Sequence, residues 1–211
     1  MNYEKHSINP TDITCIIFDF GFTLSSDLYF KVAPPECPNW QEVIQQKIFS
    51  NNALVDSWME GTVTVDNIAE ELAPIVNMEI SNIVHFLEAG CQNIGFNEAV
   101  WHFAIQQRAT GRKIAIVTGN MDVFTKIVVP YHNLNNKFDV IINSFDFKEI
   151  DKTILWSKAF EFLGNGIGYS QSLLIEDGEK NVKKFRENGG YAYQYENDEQ
   201  FLKWVEYVKW H

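Results

Sequence analysis

Five short apolar runs, separated by stretches of helical periodicity, constrain this chain more than anything else in it. They fall at residues 14–18, 113–117, 138–143, 172–175 and 191–194. Three of them stop at polar or glycine turns: Asp19 and Gly21 after the first, Thr118-Gly119-Asn120 after the second, Glu176-Asp177-Gly178 after the fourth. Apolar runs without polar alternation suit strands covered on both faces, which is the condition of a parallel sheet wrapped by helices. The expected fold class is α/β, a doubly wound, Rossmann-like parallel sheet.

The runs are unevenly spaced. Residues 25–96 hold no clear strand and read as helices. Trp40, Val43, Ile44, Lys47 and Ile48 keep i, i+3, i+4 spacing. Thr64 is a candidate cap for a helix carrying Ile68, Leu72 and Ile75, which Pro74 is expected to end or kink. Ser81 is expected to cap a helix over 83–89, with Gly90 as its stop. Asn97 is expected to cap a helix through Val100, Trp101, Ala104 and Ile105 that ends at Gly111. The reading is thus a core of 1–24 and 97–211 and an all-helical insert of 25–96. Further helices are expected at 121–129, ended by Pro130, and at 154–163 and 179–187. The glycine-rich run Gly164-Asn165-Gly166-Ile167-Gly168 reads as a helix stop and turn rather than a phosphate loop. The apolar stretch 201–210 reads as a terminal helix packed on the core, with a dimer surface as the lesser reading; monomer and homodimer both stay open.

Composition narrows the function classes. At 211 residues and 45% hydrophobic, the chain can bury a sizeable core. A net charge of −11 repels phosphate backbones, so no nucleic-acid partner is expected. It leaves room for a small phosphorylated molecule, because one site can be locally positive or carry a metal. No apolar run approaches the roughly 18 residues of a membrane span, so no membrane partner is expected. The polar start over 1–12 has no signal-peptide core, and Cys15, Cys37 and Cys91 are scattered and odd in number. Together these suit a soluble protein of the reducing cytoplasm. The histidines His6, His85, His102, His132 and His211 show no ligand spacing.

In a doubly wound sheet, ligands bind beyond the carboxyl ends of the strands. Asp19, Thr118 and Asp177 stand there. Each alone is an ordinary turn residue. Together, in this order and with a helical insert after the first, they point to a site.

The ordered set resembles the haloacid dehalogenase superfamily, in its members with a helical (C1-type) cap inserted after the first strand. The motifs that carry the resemblance are Asp19-Phe20-Gly21-Phe22-Thr23-Leu24, Ile116-Val117-Thr118-Gly119-Asn120, a lysine, and Leu174-Ile175-Glu176-Asp177-Gly178 followed by Asn181. Trp58-Met59-Glu60-Gly61-Thr62-Val63-Thr64 is similar to the family's cap helices. The family's separation between lysine and metal aspartate favours Lys152 over Lys148, and Lys152 directly precedes an expected helix.

The resemblance implies a magnesium-dependent phosphatase acting on a small phosphorylated metabolite. Asp19 would attack phosphorus to form an aspartyl-phosphate. Mg²⁺ would be held by Asp19, Asp177 and the carbonyl of Gly21. Thr118 would hold a phosphoryl oxygen, with Gly119 and Asn120 completing the substrate loop. Lys152 would neutralise the nucleophile and the transferring group.

One position departs from the family pattern. Family phosphatases carry a second Asp, the general acid/base, where this chain has Gly21. Loss of such help costs about 10² to 10⁴ in rate. Three alternatives follow: a substrate with a good leaving group, a proton supplied by another group, or a protein that binds phosphate and turns over poorly. Carbon-directed relatives also lack the second Asp. Dehalogenases would not need Asp177 as a metal ligand, and a phosphonatase would need a cap lysine for a Schiff base, for which Lys31 and Lys47 are the candidates.

Overall fold

The computed structural model describes residues 8–27, 29–164 and 166–210. The readings made for 1–7 (with His6), Asn165 and His211 lie outside the described residues. The five apolar runs form five strands: β1 (Cys15–Phe18), β2 (Lys113–Thr118), β3 (Val140–Asn143), β4 (Ser172–Glu176) and β5 (Tyr191–Gln194). They make one sheet in the order β3-β2-β1-β4-β5, with every pairing parallel. β1 is central, so Cys15 to Phe18 are fully buried on both faces. The expected α/β parallel sheet is what the chain adopts.

Four helices lie between β1 and the return to the sheet: α1 (Trp40–Ile44), α2 (Asn52–Met59), α3 (Val65–Val76) and α4 (Ile80–Gln92). Thr64 stands at the start of α3, and its N–H donates to Asn67 Oδ1 at 3.0 Å. The helix continues two residues past Pro74 and ends at Asn77 in the left-handed conformation, φ 52°. Proline removes one hydrogen bond, and the burial of Ile68, Ala69 and Leu72 holds the helix together around the gap.

Two expectations about α4 fail. The helix begins after Glu79, one turn position ahead of the Ser81 cap, and it runs through Gly90 to Gln92. Gly90 is needed for close packing rather than for termination. A Cβ there would stand 2.6 Å from Phe30 Cα, so the backbone of the first segment lies directly on the helix.

The remaining helices are α5 (Glu98–Ala109), α6 (Val129–Tyr131), α7 (Ser144–Phe147), α8 (Lys152–Leu163), α9 (Glu179–Glu187) and α10 (Asp198–Val208). Asn97 precedes α5 as expected, and its Nδ2 also donates to Thr23 O at 2.8 Å. Pro130 lies inside the helical stretch, following a wide turn over Phe124–Val128, instead of ending it. Gly164 terminates α8 at φ 66°, in line with a helix stop.

Two buried clusters flank the sheet. The larger one joins Phe18, Ile114 and Ile116 to Trp40, Trp58, Leu72, Leu87, Phe103, Phe201 and Trp204, so the four helices after β1 and the terminal helix share one apolar continuum with the sheet. The smaller one packs Leu155, Trp156, Val182 and Phe185 of α8 and α9 on the other face. Phe201 and Trp204 seat α10 as expected, while Leu202 and Tyr207 stay exposed. Among the described residues no helix is long and apolar enough to cross a membrane.

Candidate active site at the strand ends

The register of the sheet builds the site. Phe18 pairs with Ile175, and Asp19 N–H donates to Ile175 O at 3.0 Å, so Asp19 emerges beside Glu176 at the carboxyl edge. Carboxylate oxygens of Asp19, Glu176 and Asp177 all come within 4.8 Å of one another. Asp19 and the Glu176-Asp177 pair, far apart in sequence, thus meet because two parallel neighbours end level.

Lys152, the first residue of α8, closes the cluster. Its Nζ lies 2.7 Å from Asp19 Oδ1, 2.9 Å from Val117 O and 3.5 Å from Glu176 Oε2. Asp151 fixes that helix start by accepting from Thr153 N–H at 2.8 Å. Lys148 is elsewhere: it ends α7 at φ 53°, with its side chain beside Gly61. Of the two sequence candidates, Lys152 is the one on Asp19.

Three carboxylates face one ammonium, and the ionisation of Glu176 and Asp177 responds. Burial, then the Asp19 charge, pushes Glu176 up to about 7. The same two causes raise Asp177. Burial works to lower Lys152, yet the Asp19 and Glu176 carboxylates hold it above the ordinary lysine value. A cluster that raises its own acids is short of positive charge. A small hard cation bound by oxygens would relieve it, and carboxylates at this spacing can share one.

Thr23 holds Asp177 in place. Its Oγ1 accepts from Asp177 N–H at 3.1 Å and lies 3.4 Å from Asp177 Oδ1. Gln194 Nε2 donates to Asp177 O at 3.1 Å. Asn181 is on the first turn of α9, with its side chain beside Gly178.

The loop after β2 supplies the third edge. Thr118 ends the strand and is buried. Gly119 lies under Met59: a Cβ there would meet Met59 Sδ at 3.8 Å. Asn120 is engaged with protein on every side. Its N–H donates to Ser144 Oγ at 2.9 Å, its Oδ1 accepts from Met121 N–H at 2.9 Å, and its Nδ2 donates to Tyr29 Oη at 2.9 Å.

Gly21 is not demanded by packing. It lies in an isolated bridge with Ser25, and no atom comes within 4 Å of where a Cβ would stand. The next residue, Phe22, takes φ 56° and is 52% exposed. An open cleft of about 580 Å³ lies there, lined by Phe22, Asn97, Asp177, Tyr195 and Asp198 among others.

Two residues absent from the sequence-derived site matter here. Glu176 was visible only as half of an acidic pair; its place in the cluster follows from the level ends of β1 and β4. Asp122 gave no signal. It is fully buried, with Oδ1 accepting from Trp58 Nε1 at 2.7 Å, and Oδ2 from Lys126 Nζ at 2.9 Å and Val65 N–H at 3.3 Å. It ties the ends of α2 and α3 to the β2 loop.

No protein-family model and no curated protein matches the sequence. Solved structures match the fold over most of the chain. A haloacid dehalogenase (HAD) family enzyme from Bacteroides thetaiotaomicron, crystallised with magnesium and inorganic phosphate, is similar at a TM-score of 0.64 and 16% identity, over 87% of this chain and 94% of that one. A predicted HAD-like family hydrolase from Porphyromonas gingivalis gives a TM-score of 0.70 at 14% identity, over 94% and 98%. L-2-haloacid dehalogenase from Xanthobacter autotrophicus gives 0.62 at 17%, over 86% and 77%. At such identities the likeness is one of architecture, and the chain has the fold of the HAD-like hydrolases.

Proposed function

We propose that this protein is a Mg²⁺-dependent hydrolase that takes a phosphoryl group from a small metabolite onto Asp19. The observation that carries the reading is the Lys152–Asp19 contact of 2.7 Å within the carboxylate cluster of Asp19, Glu176 and Asp177. A lone nucleophilic carboxylate needs neither a facing lysine nor acidic neighbours. A carboxylate that must meet an anionic phosphoryl group beside a cation needs both.

In this reading Asp19, Asp177 and the Gly21 carbonyl would hold the cation, with Glu176 as an added acidic neighbour. The bound cation supplies charge neutralisation for the phosphoryl oxygens. Asp19 attacks phosphorus with a carboxylate oxygen, while Lys152, at 2.7 Å, pairs with that carboxylate and aims it. Thr118 donates its hydroxyl to a phosphoryl oxygen, and the Gly119 N–H joins it. The segment 25–96 acts as the cap over a core of 1–24 and 97–211, and selects the substrate. Buried free Cys15, Cys37 and Cys91 suit a cytoplasmic setting.

The B. thetaiotaomicron enzyme with magnesium and phosphate supports this choice among HAD-like chemistries. The phosphonatase alternative is weakened at Lys31, which pairs with Asp27. The non-catalytic alternative draws on Gly21 alone. The deciding experiment incubates the protein and its Asp19→Asn variant with Mg²⁺, phosphate esters and acyl phosphates. Hydrolysis by the parent well above the variant is expected. Equal rates overturn the reading.

A further inference from the structure

Gly21 leaves the oxygen that departs from phosphorus without its usual partner, and a second hydroxyl near the site has a hydrogen to spare. Tyr29 is 9% exposed, and its Oη lies 2.9 Å from Asn120 Nδ2. Which of the two groups donates is decided by a third. Met121 N–H needs an acceptor and has Asn120 Oδ1 at 2.9 Å, so the amide cannot be turned round. Asn120 therefore presents its NH₂ to Tyr29, and the tyrosine oxygen accepts. The phenol hydrogen is left over, and no acceptor for it is present among the described residues. A buried donor without an acceptor carries a penalty of about 1–3 kcal/mol, which a bound ligand can remove.

The hydroxyl is also in the right neighbourhood. Asn120 is two residues beyond Thr118, on the loop that faces Asp19 across the strand ends. Burial, Cys91 and the Asp19 charge together push Tyr29 well above its ordinary value, so it feels the nucleophile and stays protonated. A phenol in that state donates a hydrogen bond and keeps its proton.

We propose that Tyr29 is a substrate-contacting residue whose hydroxyl donates to the leaving oxygen of the phosphoryl compound bound at Asp19. No proton is transferred: as the bond from Asp19 to phosphorus forms, the electron pair of the old P–O bond goes with the leaving oxygen, which departs as an anion, and the hydrogen bond spreads the charge that develops there. Asn120 is then a positioning residue, holding Tyr29 as an acceptor so that its hydrogen points outward to the ligand. This rests on the phosphoryl-transfer reading of Asp19.

The test compares two phosphoryl mimics with Mg²⁺ on the full chain, parent and Tyr29→Phe. Beryllofluoride caps Asp19 without a leaving oxygen, whereas vanadate places an apical oxygen where the leaving group stands. Tyr29→Phe should keep the beryllofluoride affinity and weaken vanadate about tenfold or more, as expected for a bond to a charged group. Retained beryllofluoride binding also reports that the variant is folded. Equal loss for both mimics makes Tyr29 a packing residue, and no loss for either frees it of any role; each overturns the proposal. If the parent binds neither mimic, the Asp19 reading fails first and the Tyr29 assignment falls with it.

Discussion

Two buried carboxylates follow parallel strands in this molecule, each beside a lysine, and their surroundings are opposite. Asp122, beyond β2, is saturated: an indole N–H, a backbone N–H and an ammonium fill both of its oxygens. Among the described residues the Asp19 carboxylate, beyond β1, accepts one hydrogen bond, from Lys152, and it faces two further acids. A saturated carboxylate has nothing left to offer a ligand and serves to hold segments together. An undersupplied one, in a cluster where Glu176 is pushed up to about 7, is poised for a cation and an electrophile. The same residue type, with the same kind of partner, differs in donor count, and on the proposed reading that makes it structural in one place and reactive in the other.

The largest effect that separates the two is expected at Asp19 itself. Asp19→Asn keeps the shape and removes the proposed nucleophile, so turnover should fall by on the order of 10⁴ or more with the thermal midpoint little changed. Asp122→Ala should do the reverse. It strands the buried Trp58 and Val65 donors and should cost about 3 kcal/mol in denaturant unfolding, while beryllofluoride still binds the folded fraction. An Asp122→Ala protein that loses the mimic but no stability would break the comparison.

Gly21→Asp sharpens it next. The position has space and an ordinary backbone angle, so the side chain enters without strain. A gain of about 10² on alkyl phosphate esters is expected, with little change on acyl phosphates, whose leaving groups need no proton. Steady-state kinetics on both substrate classes reads this out.

Gly90→Ala probes the saturated, structural side of the molecule at a point without charge. The added methyl meets the Phe30 backbone, and a loss of about 2 kcal/mol by unfolding is expected.

The smallest effect concerns Asp139, a third paired acid. Burial acts to raise it, but the Ile114 N–H, Lys113 and Arg108 outweigh burial and hold it below the ordinary carboxylate value. A depressed group stabilises the fold above its unfolded pKa. That contribution is lost as pH falls through the depressed value. Asp139→Asn should therefore lower stability slightly at neutral pH and leave the low-pH end nearly unaltered, which flattens the acid limb of a stability-against-pH curve.

The sheet was legible because its strands are wholly buried, and burial on two faces leaves an unbroken apolar run in the text. Asp19, Thr118 and Asp177 stand out as candidates because each follows such a run, and Lys152 because the family's separation between lysine and aspartate selects it, just before an expected helix. What escaped depends on contacts between distant segments. Gly90 reads as a stop until Phe30 is seen lying on it. Glu176 needs the register of β1 against β4. Asp122 needs Trp58 and the start of α3, and no local pattern announces either. The hydrogen bonds of the Asn120 side chain to Met121 and Tyr29 likewise leave no local pattern.

The pairing of Phe18 with Ile175 has a consequence for assembly of the fold. The cluster forms only when two chain segments more than 150 positions apart stop at the same height. A slip of one residue between them would turn side chains to the opposite face and carry Asp19 out of line with Glu176. Phosphoryl-mimic binding would then vanish even in a compact, helix-rich chain. Recovery of that binding after dilution from denaturant is thus a clock for correct strand alignment, one that spectroscopic signals of secondary structure would miss.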